Sequence, residues 1–280
     1  MDTKKVWLVT GASKGLGLAL VKKLLDQGYR VAATSRSLAA LESAVGIQHN
    51  FLPLQVDLMS EASVASGISK TVETFGSLDV VVNNAGYGQN GTLEELTDAE
   101  SRENFDVNVF GLLNVVRKAI PILRKQGAGH IFNIASIGGM VANFPGFGIY
   151  CATKFAVVGL TETLSEEVKP FGINTTLVYP GYFRTEFLTS DSLHLAANRM
   201  DIYAQAREFE RLHIEEISGN QLGDPEKAAE ALIEVAESDD PMFHLFLGSD
   251  SYAMAENKLK TLENALLASK ELSYSTDFVH

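Results

Sequence analysis

Short, uniformly apolar runs alternate along the chain with longer stretches whose apolar residues recur every three or four positions. The first run, Val6–Val9, is rich in β-branched residues and stops at Thr10-Gly11, after which helical spacing holds from Leu16 to Leu25 and ends before Gly28. The cycle repeats, with strands expected at Val31–Thr34, Phe51–Val56 and Asp79–Val82 and helices at Leu38–Val45 and Ala62–Phe75. A long helix is expected over Arg102–Leu123, then a strand at Ile131–Ala135, a helix at Tyr150–Val168 and a strand at Asn174–Tyr179. Strand and helix in strict alternation specify an α/β fold whose parallel sheet is covered on both faces.

Beyond Pro180-Gly181 the rhythm breaks. Ser190–Ile217 is polar and helix-prone and reads as part of a lid over about 182–222. A helix opened by Pro225 and running to Glu237, a last strand near Phe243–Leu247 and a C-terminal helix over about 249–270 follow. There is no low-complexity linker and no repeat, so residues 1–280 are expected to form one domain.

With 46% apolar and 21% charged residues, the chain has the composition of a folded protein rather than a disordered one. Its net charge of -12 disfavours nucleic acid and anionic membranes as partners, so an anionic ligand needs a local basic pocket. The N-terminus lacks the apolar region of a signal peptide, and the uncharged stretch from Gln126 to Thr153 is interrupted too often by Gly, Asn and Pro for a spanning helix. A single cysteine, Cys151, forms no internal disulfide, which suits a reducing, cytoplasmic setting. Cys151 has no histidine partner in a motif and the six histidines show no zinc-ligand spacing, so neither a thiol nucleophile nor a metal is expected.

The first strand-to-helix turn contains Gly11, Ser13, Lys14, Gly15, Leu16 and Gly17. Glycines here let the backbone turn sharply and present N–H groups to a pyrophosphate at a helix N-terminus, although an ordinary tight turn would use glycine too. At the end of the second strand, where an acidic residue would accept the ribose 2′-OH of NAD, the chain has Ser35 and Arg36. A guanidinium there, with Lys14, suits the 2′-phosphate of NADP, unless both are merely solvated loop cations. Asp57-Leu58 and Asn84-Ala85-Gly86 follow the third and fourth strands, at the sheet edge where open parallel sheets bind ligands; Asp57 could reach an adenine edge.

Ser136 follows the fifth strand, Tyr150 and Lys154 stand four residues apart at the start of a helix, and Asn108 lies on the preceding long helix. Spacing of four stacks Tyr150 over Lys154. A phenol titrates near 10, and one cation about 4 Å away contributes on the order of 4 kcal/mol, enough to bring it towards neutrality. Tyr150 would then protonate a ketone oxygen while hydride arrives from NADPH, with Ser136 holding the developing alkoxide; in reverse it would act as base. Taken alone, Tyr and Lys at this spacing are commonplace on amphipathic helices.

Thr10-Gly11-x3-Gly15-x-Gly17, Asn83-Asn84-Ala85-Gly86 and Tyr150-x3-Lys154, in that order, resemble the short-chain dehydrogenase/reductase superfamily over about residues 4 to 250. The resemblance implies a Rossmann-type doubly wound sheet and an oxidoreductase acting on CH–OH or C=O groups. It further implies that Lys154 binds the nicotinamide ribose, that Asn108 holds a water linking Lys154 to solvent, and that Pro180, Gly181, Phe183 and Thr185 border the nicotinamide. Finer motifs are similar to bacterial 17β-hydroxysteroid and retinol dehydrogenase-like members. A pocket rim of Tyr87, Phe144, Phe147, Tyr182, Phe187 and Leu188 favours an apolar ketone or secondary alcohol, though several of these could simply pack the lid. Many relatives assemble as homodimers or homotetramers through the helices corresponding to Arg102–Leu123 and Tyr150–Val168, although amphipathic helices covering a sheet give the same pattern. The competing class is a non-catalytic NADP(H)-binding sensor, which would tolerate loss among Asn108, Ser136, Tyr150 and Lys154; all four are present. A nucleotide-sugar epimerase would show a different glycine spacing and a larger C-terminal domain.

Overall fold

The computed structural model describes residues 4–278; of the span 1–280 expected as one domain, residues 1–3 and 279–280 lie outside the described residues. Seven parallel strands form the main sheet: β1 (Val6–Val9), β2 (Arg30–Ser35), β3 (Phe51–Gln55), β4 (Val80–Asn83), β6 (Gly129–Ile134), β7 (Ile173–Pro180) and β9 (His244–Leu247), in the order β3-β2-β1-β4-β6-β7-β9. The chain winds outward from β1 to β3, returns to β4 on the other side of β1 and winds outward again. This Rossmann-like, doubly wound arrangement leaves a crevice at the C-terminal ends of β1 and β4, where the strand order reverses.

Every residue of β1 and β4 is buried, because helices cover both faces. Alternation decides which face each residue serves. Trp7 and Val9 join α1 (Gly15–Asp26) and α8 (Pro225–Glu237) in one core cluster, while Leu8 points into the other, with α3 (Glu61–Phe75), α5 (Leu112–Gln126) and α6 (Gly148–Val168). Helix α2 (Leu38–Val45) matches the expected bounds, and α8 begins at Pro225 with Asp224 as its side-chain cap.

Two departures from the sequence pattern bear on the site. The long helix expected over Arg102–Leu123 starts earlier, as α4 (Asp98–Phe105), and a π-helical turn, Asp106–Gly111, separates it from α5. The stretch expected to be helix-prone over Ser190–Ile217 first forms β8 (Leu193–Leu195), paired in parallel with β5 (Gly88–Asn90), and only then α7 (Ala204–Arg211) and a second π turn, Leu212–Ile217. Three-residue strands are too short for any periodicity to show, and Gly-Gln-Asn has turn composition. A buried ion pair ties α7 to the body: Arg207 donates to Glu95 (2.8 Å), which also accepts the backbone N–H of Thr92 and Met200. The C-terminal helix α9 runs over Ser249–Tyr274, past the expected end, and leaves Leu259, Leu262 and Leu266 exposed. Among the described residues no helix is long and apolar enough to cross a membrane.

Candidate active site

The turn after β1 is shaped by what crosses it. Gly11 has φ +65°, and a Cβ there would lie 2.6 Å from Ala85 Cα, so only glycine lets the β1 and β4 turns meet. The Thr10 hydroxyl accepts the N–H groups of Asn84 (3.0 Å) and Ala85 (3.1 Å), and Asn84 Nδ2 donates to the carbonyls of Thr10 and Gly11, strapping the two turns together. Gly17 serves that strap: a Cβ there would sit 2.5 Å from Asn84 Nδ2, and the residue does not line the cleft beyond. The Gly15 N–H, at the start of α1, donates to the Glu186 carboxylate (3.2 Å). An anionic oxygen already placed on that N–H is what a phosphate cradle at a helix N-terminus accommodates.

One cleft of about 340 Å³ runs from this turn along the strand ends. All the residues proposed for cofactor and substrate line it except Gly17, and of the four proposed catalytic residues only Asn108 lies behind its wall. Towards one end are Ser13, Leu16, Ser35, Arg36, Asp57 and Leu58. Ser35 Oγ donates to Ser13 Oγ (3.3 Å), and among the described residues the Arg36 guanidinium enters no ion pair. Lys14 lines the cleft too, but its ammonium is turned to the Asp191 carbonyl (2.9 Å) rather than held beside Arg36.

Further along, Ser136, Tyr150 and Lys154 converge. Lys154 Nζ lies 5.8 Å from the centre of the Tyr150 ring and donates to the Ile134 carbonyl (2.9 Å). Helix α6, which carries both, is keyed to the sheet by a polar ladder: Asn83 Nδ2 donates to Asn133 Oδ1 (2.8 Å), and Asn133 Nδ2 to Thr161 Oγ1 (2.9 Å). Asn108 stands in the π turn of α4–α5, an irregularity that turns helical side chains out of register and recurs at functional sites. Its Oδ1 accepts the Tyr87 N–H, and its Nδ2 donates to the Tyr87 carbonyl and to Thr153 Oγ1, which in turn donates to the Tyr150 carbonyl. Gly86 admits the contact, since a Cβ on it would lie 3.0 Å from Asn108 Oδ1 and 3.5 Å from Lys154 Nζ. Asn108 therefore ties the β4 turn to α6.

Electrostatics at this point run opposite to the expectation from spacing. Burial pushes Tyr150 well above the usual phenol range, opposed by a hydrogen bond with Ser136, and lowers Lys154 to about 8. Both side chains are largely buried in the cleft wall, and desolvation penalises phenolate and ammonium alike. In the cofactor-free protein burial thus works against the acidification expected from Lys154 together with the positive nicotinamide. Burial likewise raises the Cys151 thiol to about 11, which makes it a packing residue.

The other end of the cleft is aromatic. Phe147 meets Tyr150 edge-on at 6.2 Å, Phe187 tilts against Tyr150 at 5.8 Å, and Tyr87 lies 4.4 Å from the His194 ring. Phe144, Tyr182 and Leu188 complete the expected rim. Pro180, Gly181, Phe183 and Thr185 lead into it; a Cβ on Gly181 would collide with the Asp250 carboxylate, whose Oδ2 accepts the Tyr182 N–H (2.7 Å). Sequence reasoning missed Thr153, which sits inside the Tyr150–Lys154 motif and bonds back to the Tyr150 carbonyl one turn away, and Glu186, Phe209, His213 and Gln221, which carry no motif and line the cleft only through the tertiary fold.

A family model described as short chain dehydrogenase matches residues 5–195. "Oxidoreductase BOA17" of Botryotinia fuckeliana is 31% identical over 274 residues, covering 97% of this chain and 99% of the relative. Among solved structures, a short-chain dehydrogenase from Streptomyces avermitilis is 33% identical and superposes with a TM-score of 0.88 over 98% of this chain and 100% of that one. ElxO with NADP bound (28% identity, TM-score 0.74, 90% of this chain and 100% of that one) and a short-chain dehydrogenase/reductase from Burkholderia phymatum in complex with NAD (27%, 0.79, 94% and 95%) share the fold with a cofactor in place.

Proposed function

The chain belongs to the short-chain dehydrogenase family and is an oxidoreductase; from that premise we propose that it is an NADPH-dependent carbonyl reductase acting on apolar ketones. The observation that carries this reading is the convergence of Tyr150, Ser136 and Lys154 where an anion-binding turn with an unpaired Arg36 meets an aromatic chamber, all within one cleft. NADPH, when bound, supplies the hydride; Gly15 and Arg36 would hold its phosphates, and Asn84, Ala85, Gly86, Lys154, Pro180, Gly181, Phe183 and Thr185 would flank it.

Tyr150 donates its hydroxyl proton to the carbonyl oxygen, and Ser136 donates a hydrogen bond to the same oxygen as negative charge develops there. Lys154 places positive charge beside the phenolate left behind, so that its attraction is greatest once the proton has gone. Tyr150 carries its proton at neutral pH and so starts the reduction as the acid. The segment 182–222 serves as a lid whose aromatic side chains exclude water. Exposed Phe110 in the π turn before α5 and exposed Phe155 on α6 support homodimer or homotetramer formation there, and the unpaired Cys151 suits the cytoplasm.

The test is loss of absorbance at 340 nm with NADPH and a panel of aryl, alicyclic and aliphatic ketones. Tyr150→Phe abolishes turnover while cofactor binding persists. Cofactor binding with no turnover on any ketone or alcohol would return the protein to the class of NADP(H) sensors.

A further inference from the structure

Resting on the ketone-reductase reading, we infer that Tyr182 and His213 form a polar subsite in the aromatic chamber that accepts a hydrogen bond from a second, hydroxyl-bearing position of the substrate. The substrate class narrows accordingly from apolar ketones to hydroxyketones.

The argument is one of proton bookkeeping. His213 lies in the π turn Leu212–Ile217, and its Nδ1 sits 2.7 Å from the Phe209 carbonyl oxygen. A carbonyl oxygen only accepts, so Nδ1 carries the ring proton. Burial disfavours the imidazolium, leaving Nε2 as a bare acceptor. The Tyr182 hydroxyl, 2.7 Å from Nε2, must therefore donate to it. Its proton is committed, and the phenol oxygen is left with lone pairs only. Tyr182 and His213 both line the cleft, and the oxygen between them can accept a hydrogen bond but offers none.

The pair is also rigid and close to the chemistry. The Tyr182 N–H donates to Asp250 and its carbonyl accepts the Gly223 N–H, so the backbone is held from both sides. Phe147 packs against the His213 ring at 5.5 Å and against the Tyr150 ring at 6.2 Å, and Tyr150, Tyr182 and His213 line one cleft, which puts the pair within a substrate's length of the reacting carbonyl. Gln221 lines the same cleft with its buried carboxamide lacking any protein partner, a second polar group whose hydrogen bonds the protein leaves unmade. Within an otherwise aromatic chamber, an acceptor of fixed polarity discriminates a donor from an ether of nearly the same shape.

The experiment uses ω-hydroxy-2-alkanones of increasing length, each paired with its ω-methyl ether. In the parent enzyme at least one length gives kcat/KM about three- to ten-fold higher for the alcohol than for the ether, the range of one neutral hydrogen bond, with the difference in KM. Tyr182→Phe removes the preference. His213→Phe frees the Tyr182 proton, so the ether gains relative to the alcohol, a change in polarity that a purely structural role would not produce. Binding gives the same ratio without turnover, from quenching of bound NADPH fluorescence by each ketone in Tyr150→Phe. Turnover of both partners of every pair at equal kcat/KM overturns the subsite and leaves ketone reduction standing. Equal or no binding to the Tyr150→Phe complex overturns the subsite whatever the activity.

Discussion

Lys154 is a charge whose burial costs the fold more than its one hydrogen bond returns, and replacing it should stabilise the cofactor-free protein. Its folded pKa falls from 10.5 to about 8 because burial removes the ammonium from water. By linkage, the unfolded chain binds the proton more tightly between those two values. Stability therefore rises with pH across that window, and the full penalty applies below about pH 8. A drop of that size corresponds to about 3 kcal/mol. Lys154→Met keeps the aliphatic stem and removes the charge, but loses the hydrogen bond to the Ile134 carbonyl, about 1 kcal/mol. The net gain is about 2 kcal/mol, or about 4–8 °C in Tm for a domain of this size. Melting the parent and Lys154→Met without cofactor at pH 7 and pH 10 tests this. The methionine protein melts higher at pH 7, its advantage shrinks to near zero at pH 10, and its reductase activity is lost. A variant that melts lower at pH 7, or an advantage that ignores pH, would refute the claim that desolvation of Lys154 is the dominant effect.

Other expectations follow from single contacts. Exchanging Ser35→Asp together with Arg36→Ile inverts the ratio of kcat/KM for NADPH over NADH, since it replaces a phosphate-binding guanidinium by a ribose-binding carboxylate; an unchanged ratio removes Arg36 from that role. Glu186→Gln tightens NADPH several-fold in a fluorescence titration, because the carboxylate that occupies the Gly15 N–H would otherwise compete with and repel the pyrophosphate. Arg207→Met leaves the buried Glu95 carboxylate without its cation and lowers stability by about 3 kcal/mol or more in chemical denaturation; adding Glu95→Gln restores part of the loss. For reduction, kcat/KM declines above about pH 8 as Lys154 loses its proton, while Tyr150 stays protonated through that range.

What the sequence determined by itself is what local chemistry encodes. Apolar runs of fully buried strands, helical spacing and the Asp224-Pro225 helix start fixed nearly every element of the main sheet, because binary pattern and capping are properties of neighbouring residues. The phosphate turn and the Tyr150–Lys154 pair were legible for the same reason, each being a short motif with a backbone or helical geometry of its own. Tertiary structure alone decided the rest. The π turn that aims Asn108 at Tyr87 depends on what α4 and α5 pack against, and the β5–β8 pairing joins residues a hundred positions apart with no periodicity to announce it. The charge states decided there are those of Tyr150 and Lys154. Spacing showed the attraction between them, but the opposing desolvation exists only once sheet and helices have packed around both groups.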